Sequence, residues 1–283
     1  MMNQLDKSKF EVLLSCMYQT NFDIAYKSKV DSDLLIINQC DKDDYHEIEV
    51  NGYVWRMIST TERGLSRSRN MALRNARGEI CQLCDDDEVL IGGYKKNILD
   101  AYNALPSASM IAFNVKRINT VLKKKYYQIS ETKETKRSFA SPMLTFRLKD
   151  ILENGIIFNE LFGSGTAWGP GEDSLFIRDV RSAGLMICEC PSVIAIQDYS
   201  NESKWFHGYN ERYFYNQGAF SEYCKTPKLK RELYNLYSSF YKLRKEKYLG
   251  PIQKIKWRHK GEKGWKNGVT YSQYMANGCK YKP

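Results

Sequence analysis

The densest chemistry in the sequence is a run of four acids, Asp85-Asp86-Asp87-Glu88, directly after an apolar stretch, Ile80 to Cys84. Adjacent carboxylates repel one another unless a cation neutralises them. In an extended chain Asp85 and Asp87 point to the same side, so both can serve one hard cation with oxygen ligands. Mg²⁺ or Mn²⁺ would keep open positions for substrate phosphates. An acidic run is more often a solvated turn. Its place at the end of a strand in a parallel sheet, where such sheets bind ligands, is what favours the metal. A second acidic pair, Glu172-Asp173, follows a stretch with four glycines, Phe162 to Gly171. Glycines let a backbone approach a ligand closely. Taken alone, the pair reads first as a helix start, because acids favour first turns. The glycine stretch is not G-x-G-x-x-G and no Walker lysine follows it, so dinucleotide and P-loop readings fail. The chain also lacks the G-x-S-x-G elbow of a serine hydrolase.

The elements that must position these groups alternate. Strand-like runs fall at Phe10 to Cys16, Asp33 to Asn38, Val54 to Ser59, Glu79 to Cys84 and Met110 to Val115. Helical patterns fall at Ser66 to Ala76, stopped by Gly78, and at Lys95 to Leu105. Strands separated by helices predict βαβ units and an α/β fold with a mixed, mostly parallel sheet flanked by helices. Lys116 to Phe139 is polar and basic, an excursion or hairpin over the site. Leu229, Leu233, Leu236, Phe240 and Leu243 recur at intervals of 4, 3, 4 and 3, an amphipathic helix whose stripe is expected to pack on the body.

With 283 residues, 42% hydrophobic and 27% charged, the chain buries a sizeable core and is neither disordered nor collagen-like. No apolar run approaches the ~20 residues of a membrane helix, and the opening MMNQLDKSKF lacks a signal-peptide core, so a cytoplasmic protein is expected. Eight cysteines sit mostly in strand-like runs, as buried free thiols do. Cys81 and Cys84 have the C-x-x-C spacing but no matching second pair, and alternation puts them on opposite strand faces. The net charge of +10 is uneven. Residues 225–283 hold sixteen basic against three acidic residues, a balance of +13, which leaves −3 for the rest. Such a tail suits a polyanionic partner: anionic lipid, nucleic acid or a phosphorylated substrate.

From Phe10 to about residue 220 the sequence resembles the family 2 inverting glycosyltransferases of GT-A fold, in particular bacterial capsular and exopolysaccharide enzymes. Gly64-Leu65-Ser66-Arg67-Ser68-Arg69-Asn70 is similar to the family's G-x-S-x-x-R-N element, and Ala76-Arg77-Gly78-Glu79 to its A-x-G-E turn. Asp85-Asp86-Asp87 matches its D-x-D motif. Gly171-Glu172-Asp173-Ser174 resembles its acidic E-D motif, and Trp205 to Phe220 the region after the catalytic domain. Two elements depart from the pattern: Ser15-Cys16-Met17-Tyr18-Gln19 stands where the family has P-x-Y-N, and Asn38-Gln39-Cys40-Asp41 where it has D-D-G-S. In the family those positions hold the base and ribose, so the donor base stays open.

The resemblance implies a nucleotide-sugar site built from Ser15, Tyr18, Gln39, Asp41, Gly64, Ser66, Arg69, Asn70, Asp85 and Asp86. It implies a metal, Mn²⁺ or Mg²⁺, on Asp85 and Asp87, with His207 as a further ligand, although a lone histidine beside Trp205 and Phe206 is more often packing. Asp173 becomes the candidate catalytic base, with Glu172 as understudy or acceptor ligand, and Asn70 caps or braces the loop of the Arg69-Asn70 element. Transfer from a nucleotide sugar needs a stabilised leaving diphosphate and a base for the acceptor hydroxyl. One carboxylate suffices for displacement with inversion. The expected reaction moves a hexose, from a UDP-sugar first of all, to a saccharide carried on polyprenyl diphosphate in bacterial surface-polysaccharide synthesis. A GT-A domain over 1–224, with a nucleotide half at 10–115 and an acceptor half at 116–224, is followed by a basic extension at 225–283. Residues 244–283 are expected to meet an anionic membrane at the inner face of the cell membrane. A nucleotidyltransferase or a nucleic-acid-binding protein using the tail is the alternative.

Overall fold

A computed structural model describes residues 10–119, 128–198, 208–246 and 248–276. The chain divides into two compact units: residues 1–159 with 172–202, and residues 160–171 with 203–283.

In the first unit the expected strands appear as β1 (Phe10–Met17), β2 (Asp33–Gln39), β4 (Tyr53–Thr60), β5 (Ile80–Asp85) and β7 (Ala108–Ile118). The expected helices are α2 (Leu65–Asn75) and α3 (Tyr94–Ala104), and a short α1 (Asp23–Lys27) follows β1. Five strands lie outside the predicted set: β3 (Asp44–Val50), β6 (Glu88–Leu90), β8 (Lys133–Glu134), β9 (Leu144–Arg147) and β10 (Met186–Asp198). Helices α4 (Leu148–Glu153) and α5 (Glu172–Ser182) complete the unit. Among the described residues the ten strands form one sheet in the order β3-β4-β2-β1-β5-β9-β7-β10-β6, with β8 on β10. The central ladders β4-β2-β1-β5 are parallel, as is β7-β10, whereas β9 enters antiparallel between β5 and β7.

Strand alternation divides the core in two. Val12, Leu14, Leu34, Ile36 and Cys84 pack with α3 through Ile98 and Tyr102. Leu13, Leu35, Ile37, Cys81 and Leu83 pack on the other face with α2, α4 and α5 through Leu73, Ile151 and Phe176. Cys81 and Cys84 thus fall on opposite faces, as their spacing predicts, and both are free thiols. Strand β3 escaped the apolar reading because it is an edge strand exposed over most of its length. It turns back into β4 through Asn51-Gly52, both in the left-handed region at φ 53° and 81°. That Asn-Gly pair is the short-range hairpin signal that would have found it.

The turn before β5 passes directly over β1. A Cβ on Gly78 would stand 2.7 Å from the Glu11 Cβ, so only glycine fits. The Glu11 carboxylate accepts the backbone N–H groups of Arg77 (2.5 Å) and Gly78 (2.9 Å) and pairs with buried Arg56 at 2.6 Å.

The second unit is helical: α6 (Glu211–Tyr223), α7 (Lys228–Tyr237) continued by a π-helical turn at Ser238–Lys242, α8 (Pro251–Lys266) and α9 (Tyr271–Ala276). The glycine-rich tail segment, KIKWRHKGEKGWK, forms most of α8, and its glycines are contact points. A Cβ at Gly218 of α6 would lie 1.9 Å from the Arg258 carbonyl oxygen, and one at Gly261 1.8 Å from that of Tyr215, so α6 and α8 touch backbone to backbone. Trp265 of α8 packs on Phe162, Trp168 and Tyr223, which fixes the glycine-rich loop by its aromatics.

The 229–243 stripe does not pack as expected. Leu243 is buried, but Leu229, Leu233, Leu236 and Phe240 are exposed. The physical reason is that the other face of α7 is the inward one: Asn235, Ser238 and Ser239 are buried around Arg258.

Candidate active site

The site is assembled at the carboxyl ends of β1, β2 and β5, where open α/β sheets bind ligands. Strand β5 ends on Asp85, which lies in register with Ser15 of β1. Asp86 and Asp87 then turn the chain, and Glu88 begins β6. The acids therefore meet through a turn and not through extended alternation. Carboxylate oxygens of Asp85, Asp87 and Glu88 all lie within 4.8 Å of one another. Gln197 of β10 donates its amide N–H to both Asp87 oxygens, at 3.2 and 3.3 Å. Partial burial and the Asp85 charge push the Asp87 carboxyl up to about 6. Burial, Asp85 and Asp87 also hold Glu88 well above the usual carboxylate range.

Glu88 is the ligand candidate that strand alternation passed over. One of its oxygens accepts the Asp85 backbone N–H at 3.2 Å, while the other is buried with no hydrogen-bond partner. A buried, unsatisfied carboxylate oxygen among two further carboxylates is costly without a cation. The donor set is all oxygen, which suits Mg²⁺ or Mn²⁺ and not a thiolate-seeking metal. His207 lies outside the described residues.

Arg69, on α2, ties this cluster to the second acidic pair. Its buried guanidinium donates to Asp173 at 2.8 Å, Asp85 at 3.0 Å and the Ser141 hydroxyl at 2.5 Å, with Glu172 at 3.5 Å. Burial works against its charge, but the three carboxylates outweigh it and hold the guanidinium protonated. It also lies over the Phe158 ring, which stacks on Phe176 at 4.0 Å. Asp173 and Glu172 open α5, so the E-D pair is both a helix start and part of the site. The second Asp173 oxygen accepts the Ser141 backbone N–H at 3.0 Å. Burial raises its carboxyl to about 6, with Arg69 pulling down and Glu172 pushing up.

Asn70 braces the loop before α5: its side chain both donates to and accepts from the Phe158 backbone, at 2.9 and 2.7 Å. Gly64, at φ 113°, precedes α2, and its carbonyl accepts from Gln39 at 3.1 Å, which joins the end of β2 to the helix start. Ser66 is buried in the first turn of α2, and Ser68 donates to Ser15 at 2.8 Å. Tyr18 is exposed, with Arg63 5.6 Å over its ring, and Arg63 pairs with exposed Asp41 at 2.6 Å. Asp86, in the turn after β5, is exposed. Sequence reasoning missed Asn38, whose buried amide holds both backbone groups of Gln19 and the Ser59 hydroxyl. It also missed Ser141 and Gln197, residue types that carry no local signal of a site.

Carboxylates able to hold a cation, beside a buried acidic pair at the strand ends of a mixed, parallel-centred sheet, are the arrangement of a nucleotide-sugar glycosyltransferase of GT-A fold. The chain matches the profile "Glycosyl transferase family 2" over residues 11–163, more than half its length, and it belongs to that family. No curated protein sequence is significantly similar to it. Among solved structures it resembles residues 1–349 of S. aureus TarS in complex with UDP-GlcNAc, with a TM-score of 0.58, 13% identity and 93% of each chain covered. It also resembles the longer S. aureus TarS, at a TM-score of 0.56 and 16% identity, over 83% of this chain and 44% of that one. At such identities the likeness is one of fold.

Proposed function

We propose that the protein transfers a hexose from a nucleotide-diphosphate sugar, a UDP-sugar in the first instance, to a saccharide acceptor with inversion at the anomeric carbon. The observation that carries this reading is the Arg69 bridge, which brings Asp85 and Asp173 to one guanidinium although 88 residues separate them in the chain. Asp173 is the base: with its carboxyl near 6 it is ionised at neutral pH and basic enough to take a hydroxyl proton. Glu172 stands beside it as acceptor ligand. Arg69, which donates to Asp85, Asp173 and Ser141, positions both acidic groups at the nucleotide-sugar site. Gln39, Gly64, Ser66, Ser15, Tyr18 and Asp41 surround the strand ends where the nucleoside would lie, with Asn70 bracing the loop behind.

Asp85, Asp87 and Glu88 would hold Mn²⁺ or Mg²⁺, with His207 proposed as a further ligand. Such an ion supplies positive charge for a departing diphosphate. The UDP choice is supported by the S. aureus TarS structure with UDP-GlcNAc. A polyprenyl-diphosphate-linked acceptor, bacterial surface-polymer synthesis and attachment of the extension at 225–283 to an anionic membrane complete the reading. In it residues 1–224 carry the reaction.

Calorimetric titration with UDP, GDP and dTDP, each with Mn²⁺ and with EDTA, tests the donor site on the wild type and Asp87→Ala. Metal-dependent binding of one nucleotide, weakened by the substitution, is expected. No binding of any diphosphate in the presence of metal overturns the reading. Product analysis separates the alternative, since a nucleotidyltransferase releases pyrophosphate and a glycosyltransferase a nucleoside diphosphate.

A further inference from the structure

Helix α7 and its π-helical continuation are built inside out. Their inward face is polar: Arg258 of α8, itself buried, donates to the Asn235 carbonyl at 3.4 Å, to Ser239 at 2.8 Å and to Ser238 at 2.9 Å. Their outward face is apolar. Leu229 (73% exposed), Leu233, Leu236, Tyr237, Phe240 and Tyr241 form a continuous stripe along it. Tyr248 and Ile252 expose further apolar surface after the π turn. A surface helix of a soluble protein ordinarily has the reverse arrangement, with its apolar stripe toward the core. Contiguous exposed apolar surface rimmed by polar groups marks an interaction site.

The rim and the chemistry of the stripe identify the partner. Lys228, Lys230, Lys242, Arg244 and Lys245 are all exposed along the same segment. Of its two acids, Glu232 is paired with His259 at 3.0 Å, and Glu246 is only half-exposed. The stripe mixes leucine and phenylalanine with tyrosines, rings whose polar tips suit the boundary between headgroups and acyl chains. A single helix with an apolar face, a basic rim and a length too short to cross a bilayer lies in the plane of an anionic interface. Among the described residues no helix is long and apolar enough to span a membrane.

We infer that the outward face of α7 and its π-helical turn is an in-plane docking surface for an anionic lipid bilayer. This deepens the membrane part of the proposed function, but it moves the contact from the 244–283 segment to residues 228–242. Much of α8 is committed to packing instead: Lys254 donates to the carbonyls of Leu243 and Glu246, and Arg258 is enclosed.

The test uses the full chain, without nucleotide or acceptor, in co-sedimentation with vesicles of phosphatidylcholine containing 30% phosphatidylglycerol. The variants are Leu229→Ser with Leu233→Ser and Phe240→Ser, and separately Lys228→Glu with Lys230→Glu. Every substituted side chain is exposed, so both variants should keep the wild-type circular dichroism and melting temperature. Expected are at least tenfold weaker vesicle binding for each variant, salt-sensitive binding of the wild type, and unchanged UDP titration. Wild-type binding that is absent, indifferent to phosphatidylglycerol or unaffected by the triple substitution overturns the assignment. So does a wild-type dimer in sedimentation velocity that the triple substitution dissociates, because the face would then belong to a second copy. Failure of the UDP titration alone would remove the transferase reading and leave the docking surface standing.

Discussion

Arg69→Met removes a cation that Asp85, Asp173 and Glu172 share, at 3.0, 2.8 and 3.5 Å. The guanidinium is only 2% exposed, so water cannot replace it without opening the site. Breaking a buried pair by deleting one partner costs about 3–5 kcal/mol, and here three carboxylates are left behind. Against a domain stability of about 5–15 kcal/mol, that shifts the urea midpoint well outside error. Arg69→Lys keeps the charge but not the fork that reaches Asp85, Asp173 and Ser141 together. Its cost should stay near the roughly 1.5–3 kcal/mol of lost charged hydrogen bonds. The pH dependence has a definite sign. Asp173 already sits near 6, above its unfolded value, because burial disfavours its charge. Without Arg69 it rises further, so the folded variant takes up a proton at a pH where the unfolded chain does not. The deficit of Arg69→Met is therefore largest at pH 7.5 and shrinks as pH falls through the raised native value. Urea unfolding in EDTA at pH 7.5 and 5.5, on the wild type and both variants, measures it. A deficit below about 1 kcal/mol, or one that does not change with pH, refutes the claim that Arg69 is the electrostatic keystone of the site.

Asp173→Asn should lower kcat by about 10²–10⁴ with little change in donor KM, while the wild-type rate rises with pH through about 6 as the base ionises. A pH-independent rate between 5 and 7.5 would remove Asp173 from that role. Glu88→Gln, which keeps the size of the side chain but not its charge, should weaken Mn²⁺ binding about tenfold or more by calorimetry. Gly261→Ala pits helix propensity, worth about 1 kcal/mol in its favour, against a Cβ 1.8 Å from the Tyr215 carbonyl oxygen. The clash should win by about 2 kcal/mol in thermal unfolding, and a stabilised variant would mean that α6 and α8 can part freely.

How much of this was legible in the sequence follows from what each element buries. Strands β1, β2, β4, β5 and β7 are recognisable because they are packed on both faces over most of their length, which makes a largely apolar run. Edge strand β3, exposed along its length, and the three-residue β6 carry no such run. The acidic motifs were visible as sequence, but their meeting was not, because it depends on one arginine reaching across from α2. Glu88 was hidden by a rule: alternation assigns it to the far side, whereas the turn at Asp86 and Asp87 folds it back toward Asp85. The stripe of α7 had the right period and the wrong direction. Periodicity says that a helix has two faces, and only the buried Arg258 decides which of them is turned inward.

The insertion of β9 between β5 and β7 has a consequence for the order in which the ribosome-bound chain can mature. When residues 10–118 have emerged, β5 and β7 are both made, yet neither can pair with the other, since the strand that separates them is still to come. Both present open edges until Leu144–Arg147 arrives and joins them in antiparallel ladders. At about 5–20 residues per second, the nascent chain waits seconds with adhesive edges uncovered. A fragment ending near residue 115, with both of these edges uncovered, should therefore aggregate.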